Sequence, residues 1–193
     1  MTTQTEAEAM APRLYEKVTA VTRNLVAAVQ ADQWRDATPC TDWDVTQLTN
    51  HLVSSARNIA SIMAGDGPQN YGDVLGDDAL AAFDAAVGPA VVALNEAGAM
   101  AWTVVTRRGE QAAGDYALGQ VQEMLVHGWD LAIATGQDAA MDAELLEVSH
   151  ARALRNRNRL RTAGSTAWGE GEASVGEAAD LQARYLGILG RTV

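Results

Sequence analysis

Glu123 and His127 stand four residues apart in the segment YALGQVQEMLVHGWDLAIA, residues 116–134, and Asp130 follows three residues on. At 3.6 residues per turn, that spacing puts all three side chains on one face of a helix. The helix itself has almost no polar side. Leu118, Val121, Met124, Leu125, Val126, Trp129, Leu131 and Ile133 fall all round its wheel, which is the pattern of a buried helix. A carboxylate buried there without a partner costs several kcal/mol or takes up a proton. Two arrangements would satisfy it: a hydrogen-bonded polar network, or a metal ion.

His51, one of three histidines in the chain, supplies the third side chain of ligand type. It lies between Leu48 and Leu52 on a second helical wheel, so it faces the core or its edge. Two imidazoles and a carboxylate suit a borderline divalent ion, Zn²⁺ first, with Ni²⁺, Mn²⁺ and Fe²⁺ as alternatives. Three protein ligands leave coordination positions for water or substrate, which is the arrangement of a catalytic rather than a structural metal. Asp130 would then orient the site from behind His127. The competing reading is metal-free: His51 is a satisfied core histidine, and Glu123 and His127 bond each other along their helix. Glu-x-x-x-His is too short a motif to separate the two.

The elements that must position these residues are helices. Leu14, Val18, Val21, Leu25 and Val29 recur at spacings of four and three and predict one amphipathic helix over 6–30. Asp44 followed by Gln47 reads as a capping box that starts a second helix through Val45, Leu48, Leu52, Ile59 and Ile62, and Gly65-Asp66-Gly67-Pro68 stops it. A polar loop over 69–77 carries Tyr71, a candidate lid residue. A third helix is expected over 79–96, bent or broken near Gly88-Pro89. The stretch AWTVVT at 101–106 reads as a short extended piece that Arg107-Arg108-Gly109 ends. After the central helix, Thr135-Gly136-Gln137 is a stop. Further helices are expected from Asp142 to about Thr162 and from Glu177 to Leu189, with a glycine-rich irregular tail between them. Helix after helix with short connections predicts an all-α bundle.

Composition limits the partners. With 193 residues and 48% hydrophobic content, the chain fits one domain with a substantial core. No run approaches the roughly 18 apolar residues of a membrane span, and the N-terminus lacks the order of a signal peptide. The expectation is a soluble cytoplasmic protein without a membrane partner. Cys40 is the only cysteine, which excludes an internal disulfide and is compatible with a reducing compartment. A net charge of −11 repels phosphate backbones, so nucleic acid is not an expected partner. Monomer and homodimer both remain open.

The segments Thr38-Pro39-Cys40-Thr41-Asp42-Trp43-Asp44-Val45, Leu48-Thr49-Asn50-His51-Leu52 and Glu123-Met124-Leu125-Val126-His127-Gly128-Trp129-Asp130-Leu131-Ala132 together resemble the N-terminal metal-binding domain of mycothiol-dependent maleylpyruvate isomerases, within the DinB-like superfamily. The resemblance covers about residues 13–137 and leaves 138–193 as an extension of the same DinB-like domain. It implies an all-α, DinB-like four-helix bundle with a short extended segment and additional C-terminal helices. It also implies a divalent metal, usually taken as zinc, on His51, Glu123 and His127, with a low-molecular-weight thiol such as mycothiol as cosubstrate. A thiol so activated would add to a small electrophile, in isomerisation or transfer. The chain ends at Val193 without the further C-terminal domain of the isomerases, so what carries over is a class of chemistry rather than maleylpyruvate as substrate. Activation of a water is the variant of that reading. A non-catalytic protein that sequesters a small ligand is the alternative to it. The preference for Arg over Lys, with abundant Ala and Gly, associates the sequence with actinobacteria.

Other residues invite a functional reading that a plainer one matches. Arg152, Arg155, Arg157, Arg159 and Arg161 could steer an anionic substrate, yet such a run more often makes a solvated helix face. Cys40 has no basic or histidine neighbour in sequence and reads as packing. Trp43 and Trp129 read first as core, and His150 as a surface residue.

Overall fold

The computed structural model describes residues 3–162, 173, 175–176 and 179–192, without the side chains of 159–162. The helices are α1 (Gln4–Ala27), α2 (Val45–Met63), α3 (Ala79–Leu94), α4 (Ala113–Thr135), α5 (Ala143–Thr162) and α6 (Leu181–Ile188), with strands β1 (Thr103–Thr106) and β2 (Gly109–Ala112) between α3 and α4. α1 packs on α4 and α3, and α2 packs on α3 and α4, so the first four helices close a ring. This is the all-α, four-helix DinB-like arrangement, and α5 and α6 pack on each other beside α4.

Local chemistry sets each boundary. Asp44 and Gln47 cap α2 reciprocally, as their spacing predicts, and Thr3 and Glu6 do the same for α1. α1 buries Leu14, Tyr15, Val18 and Val26, whereas Val21, expected on its apolar stripe, is largely exposed. α3 runs unbroken through Gly88-Pro89, against expectation. Pro89 and the preceding turn at Ala85 both lie on the solvent side, where water can take the carbonyl that the proline ring leaves without a donor. The extended piece at 103–106 is half of a hairpin: Thr103 pairs with Ala112 and Thr106 with Gly109. Arg107 and Arg108 therefore form a turn, and Gly109 takes the left-handed conformation that closes it, at φ 93°. α6 starts at Leu181 rather than near Glu177, which lies outside the described residues, as do Trp168 and most of the glycine-rich tail.

α4 is the axis. Seventeen of its residues are buried, including His127 and Asp130, although Ile133 reaches solvent. It can approach α1 closely because Gly128 has no side chain: a Cβ there would sit 3.1 Å from Thr22 Oγ1. One continuous core joins side chains from all six described helices. Among the described residues no helix is long and apolar enough to cross a membrane.

Candidate metal centre

α2 brings His51, and α4 brings Glu123 and His127, to one point. One ligand atom from each lies within 4.8 Å of the other two. His51 Nε2 is 3.5 Å and His127 Nε2 is 3.3 Å from the same carboxylate oxygen, Glu123 Oε2. The two imidazole rings meet edge to face with centroids 5.0 Å apart. His51 Nε2 and Glu123 Oε2 are both buried, and neither makes a hydrogen bond among the described residues. Stranding a buried polar atom costs roughly 1–3 kcal/mol, which a bound cation would relieve. These donors fit a divalent cation in number, type and spacing.

Electrostatics agree with that demand for positive charge. Burial pushes the Glu123 carboxyl up, but the facing imidazoles of His127 and His51 hold it below the usual carboxylate range. Burial pushes His127 down, but Asp130, Cys40 and Glu123 raise it well above an ordinary histidine. Without a metal, a proton supplies the cation that these carboxylates attract.

Asp130 stands behind His127. Its Oδ2 accepts from His127 Nδ1 at 2.9 Å, an arrangement that leaves Nε2 facing Glu123. Arg191 then fixes Asp130 through Nε to Oδ1 at 3.2 Å and Nη2 to Oδ2 at 2.7 Å. Burial pushes the Asp130 carboxyl up, while His127 and Arg191 bring it below its usual range. Cys40, His127 and Asp130 form a second group with metal-ligand spacing, but there the Arg191 guanidinium already serves as the cation, with Nη2 3.8 Å from Cys40 Sγ. Cys40 thus has the basic and histidine neighbours that its local sequence lacks, because the fold brings them from 87 to 151 residues away.

The TPCTDWD segment is a tight turn rather than a slack loop. Thr38 Oγ1 accepts the Cys40 N–H at 3.1 Å and donates to the Trp43 carbonyl at 2.8 Å, and the Trp43 N–H donates to the Cys40 carbonyl at 2.8 Å. That turn sets the Trp43 ring over the site, 4.5 Å from His51 and 5.6 Å from His127 between centroids.

Two cavities reach the centre from different sides. One of about 210 Å³ touches Glu123 and is lined also by Tyr116, Gln122, Arg107, Arg108 and Arg152. The other, about 500 Å³, touches His51 between Trp43, Ser54 and Tyr71. Tyr71 lines that cavity, and its loop is tied down: Asn50 bonds Gly72 and Val74, Asn58 bonds Gln69, and the Arg57 guanidinium stands 5.8 Å over the Tyr71 ring. Arg152 departs from the solvated face expected of the arginine run. It is buried and ion-paired with Asp115, and Gly119 leaves room for its guanidinium. Arg155 and Arg157 are exposed, and the side chains of Arg159 and Arg161 lie outside the described residues. His150 is half-buried, and desolvation and Arg184 lower its pKa.

The model of the mycothiol maleylpyruvate isomerase N-terminal domain matches residues 15–132, a span that holds His51, Glu123, His127 and Asp130 together. The chain belongs to this family. Two uncharacterized proteins of Mycobacterium tuberculosis, from strains CDC 1551 and H37Rv, are each 33% identical to this member over 135 residues, 67% of its length and 71% of theirs. Two crystal structures share its fold: mycothiol-dependent maleylpyruvate isomerase, with TM-score 0.66 and 16% identity, and a histidine-to-alanine mutant of that enzyme, with 0.64 and 15%. Each match covers 90% of this chain and 77% of the isomerase chain. Arg191 lies beyond the span that the family model matches. Sequence reading missed it, and the one local signal for it is Gly190, a glycine placed to end α6 and turn the chain back.

Proposed function

We propose that the protein is a divalent-metal-dependent enzyme of the thiol-transferase or isomerase type, acting as one DinB-like unit. His51, Glu123 and His127 hold one cation, zinc foremost, and a small thiol adds to a small electrophile beside it. The observation that carries this reading is the convergence of three ligand atoms of which two, His51 Nε2 and Glu123 Oε2, are buried without a hydrogen bond among the described residues. Mycothiol is the first thiol to try, because the family and its structural neighbours bear that name. The lone cysteine supports a reducing cytoplasm, and the M. tuberculosis relatives support an actinobacterial setting.

When bound, the cation supplies Lewis acidity that lowers the pKa of a thiol toward neutrality. The chain does the rest. Asp130 holds His127 in the tautomer that turns Nε2 toward Glu123. Trp43 packs against both imidazoles and limits how their rings can turn. The cavity beside Glu123 admits the electrophile, and the guanidinium groups of Arg107 and Arg108 on its wall attract negative charge. In the addition, the thiol passes its proton to solvent, an S–C bond forms at the electrophilic carbon, and the displaced π pair moves to the carbonyl oxygen as an enolate. When that pair returns and the C–S bond breaks, the sulfur leaves as thiolate and takes back a proton from solvent. For isomerisation, rotation about the new single bond and loss of the sulfur return the thiol and the alkene.

The test is metal analysis of purified protein followed by a thiol-conjugation assay with mycothiol and small α,β-unsaturated carbonyl compounds. One metal per chain with multiple turnovers is the expected result. A well-folded protein that takes up no stoichiometric metal refutes it, and strictly stoichiometric capture would instead make the protein a sequestering one.

A further inference from the structure

α6 ends in a turn that carries a charge into the core. Leu189 closes the helix, and Gly190 adopts φ 76°, a left-handed conformation that glycine takes without strain. The Gly190 N–H bonds the Gly187 carbonyl at 3.1 Å, and the Arg191 N–H bonds the Leu186 carbonyl at 2.9 Å, the two bonds of a Schellman motif. The chain is thereby folded back beneath its own helix, and Arg191 enters the interior with 3% of its surface exposed.

Its guanidinium joins α4, the end of α6 and the turn before α2. Nε and Nη2 take both oxygens of Asp130 on α4, Nη1 bonds the Leu189 carbonyl at 2.8 Å, and Nη2 approaches Cys40 in the turn that leads into α2. Asp130 Oδ2 is shared: it accepts from Arg191 on one side and from His127 on the other.

We propose that Arg191 is a positioning residue of the metal centre, one that fixes the Asp130 carboxylate against His127 and ties α4 to the loop before His51. Retention of the metal then depends on the docking of segment 181–191. This inference rests on the metal reading above.

The physical reason is the geometry of the fork. A carboxylate bonded only to His127 can rotate about its last side-chain bond, and it loses its charged partner once His127 gives up its proton to bind a metal. A guanidinium that grips both oxygens removes that freedom and neutralises the charge, so the direction of His127 is set before any cation arrives. A lysine ammonium is a point charge and cannot hold both oxygens in plane. The same guanidinium touches Cys40, four residues before the cap of α2, so it also limits how the His51 helix can shift against α4.

The experiment compares zinc affinity, by competition with a chromophoric chelator, for the full chain and for R191M, R191K, G190A, D130N and the R191M/D130N double variant. Circular dichroism and melting of the metal-free proteins verify folding. Folded R191M is expected to bind zinc roughly 10- to 100-fold more weakly, the loss typical of a lost partner behind a metal ligand, with R191K between it and the parent. Cobalt loading should give an altered visible spectrum in the same order. The double variant should lose no more than D130N alone, because Arg191 acts through Asp130. G190A, which leaves every site side chain in place, should also weaken zinc binding. Parental zinc affinity in folded R191M or R191K overturns the proposal and makes Arg191 a structural tie. If R191M does not fold, R191K and G190A decide on the same criterion. Losses that add in the double variant also overturn it. A parent protein that binds no zinc refutes the metal reading itself, and that is read first.

Discussion

The indole of Trp43 lies 4.5 Å from the imidazole of His51, centroid to centroid and tilted by 32°. An aromatic face that close fixes the His51 ring and responds to any charge that gathers beyond it. Binding of a divalent ion is therefore expected to change tryptophan emission. Although the chain has five tryptophans, W43F should remove most of that change. W43A should in addition weaken metal binding, because His51 would regain rotamers that the indole excludes. Fluorescence titration of the three proteins with Zn²⁺ measures both effects. A full response in W43F would place the reporting indole elsewhere.

The three-residue centre makes a prediction about stability that a metal-free polar network does not. A ligand present at 1,000 times its Kd stabilises the state that binds it by about 4 kcal/mol. The parent should therefore gain several degrees in melting temperature on addition of zinc, and H51A should gain none. Without metal, H51A should cost about 1 kcal/mol or less, since His51 Nε2 stands 3.5 Å from Glu123 and makes no hydrogen bond among the described residues. A metal-independent loss of several kcal/mol in H51A would favour the structural network.

How much of this was legible in the sequence depends on distance along the chain. Glu123, His127 and Asp130 are related by helical periodicity alone, so their common face and the burial of α4 follow from spacing. The caps of α1 and α2 are equally local, although only the second was read. His51 could be assigned to an inward face, but its meeting with α4 is a tertiary fact that family resemblance suggested and periodicity could not. Cys40 is buried, as its reading as packing expects, although its Arg191 and His127 neighbours come from far along the chain. Arg191 and Arg152 were missed for a shared reason. Each owes its burial to a partner brought in by folding, and a charged side chain in isolation reads as exposed. β2 was missed because Gly109, Glu110 and Gln111 have poor strand propensity, and the turn at Arg107-Arg108 with its pairing to β1 makes them extended.

Arg152 links α5 to the start of α4 through Asp115, and the guanidinium is almost fully buried. Removing one partner of a buried pair is more damaging than removing both, because the survivor keeps its charge and loses its compensation. R152M is therefore expected to destabilise the protein by about 3 kcal/mol, toward the low end of the usual range because Asp115 keeps some solvent. The R152M/D115N pair should recover part of that loss. Urea unfolding of both variants and the parent checks the order. An R152M protein as stable as the parent would return this arginine to the solvated face that the run suggested.

Glu144 at the start of α5 is gripped by Arg13 and Lys17 of α1, with Lys17 also bonding Asp142 at 2.6 Å. The Arg13 and Lys17 contacts bring the Glu144 carboxyl down to about 2 from its ordinary 4.5. A group whose folded-state pKa is depressed contributes stability above its unfolded value and loses it as pH falls through the folded one. The α1–α5 clamp should therefore act in full above about pH 4.5 and fade between pH 4.5 and about 2. All three side chains are at least one third exposed, so water and salt screen the interaction and keep its share of the stability small. Melting temperatures of the parent and E144Q should differ at pH 6 and converge as the pH falls below 4.5, with a smaller difference in 1 M salt. A gap that persists unchanged down to pH 2, or that ignores salt, would mean that Glu144 contributes packing rather than charge.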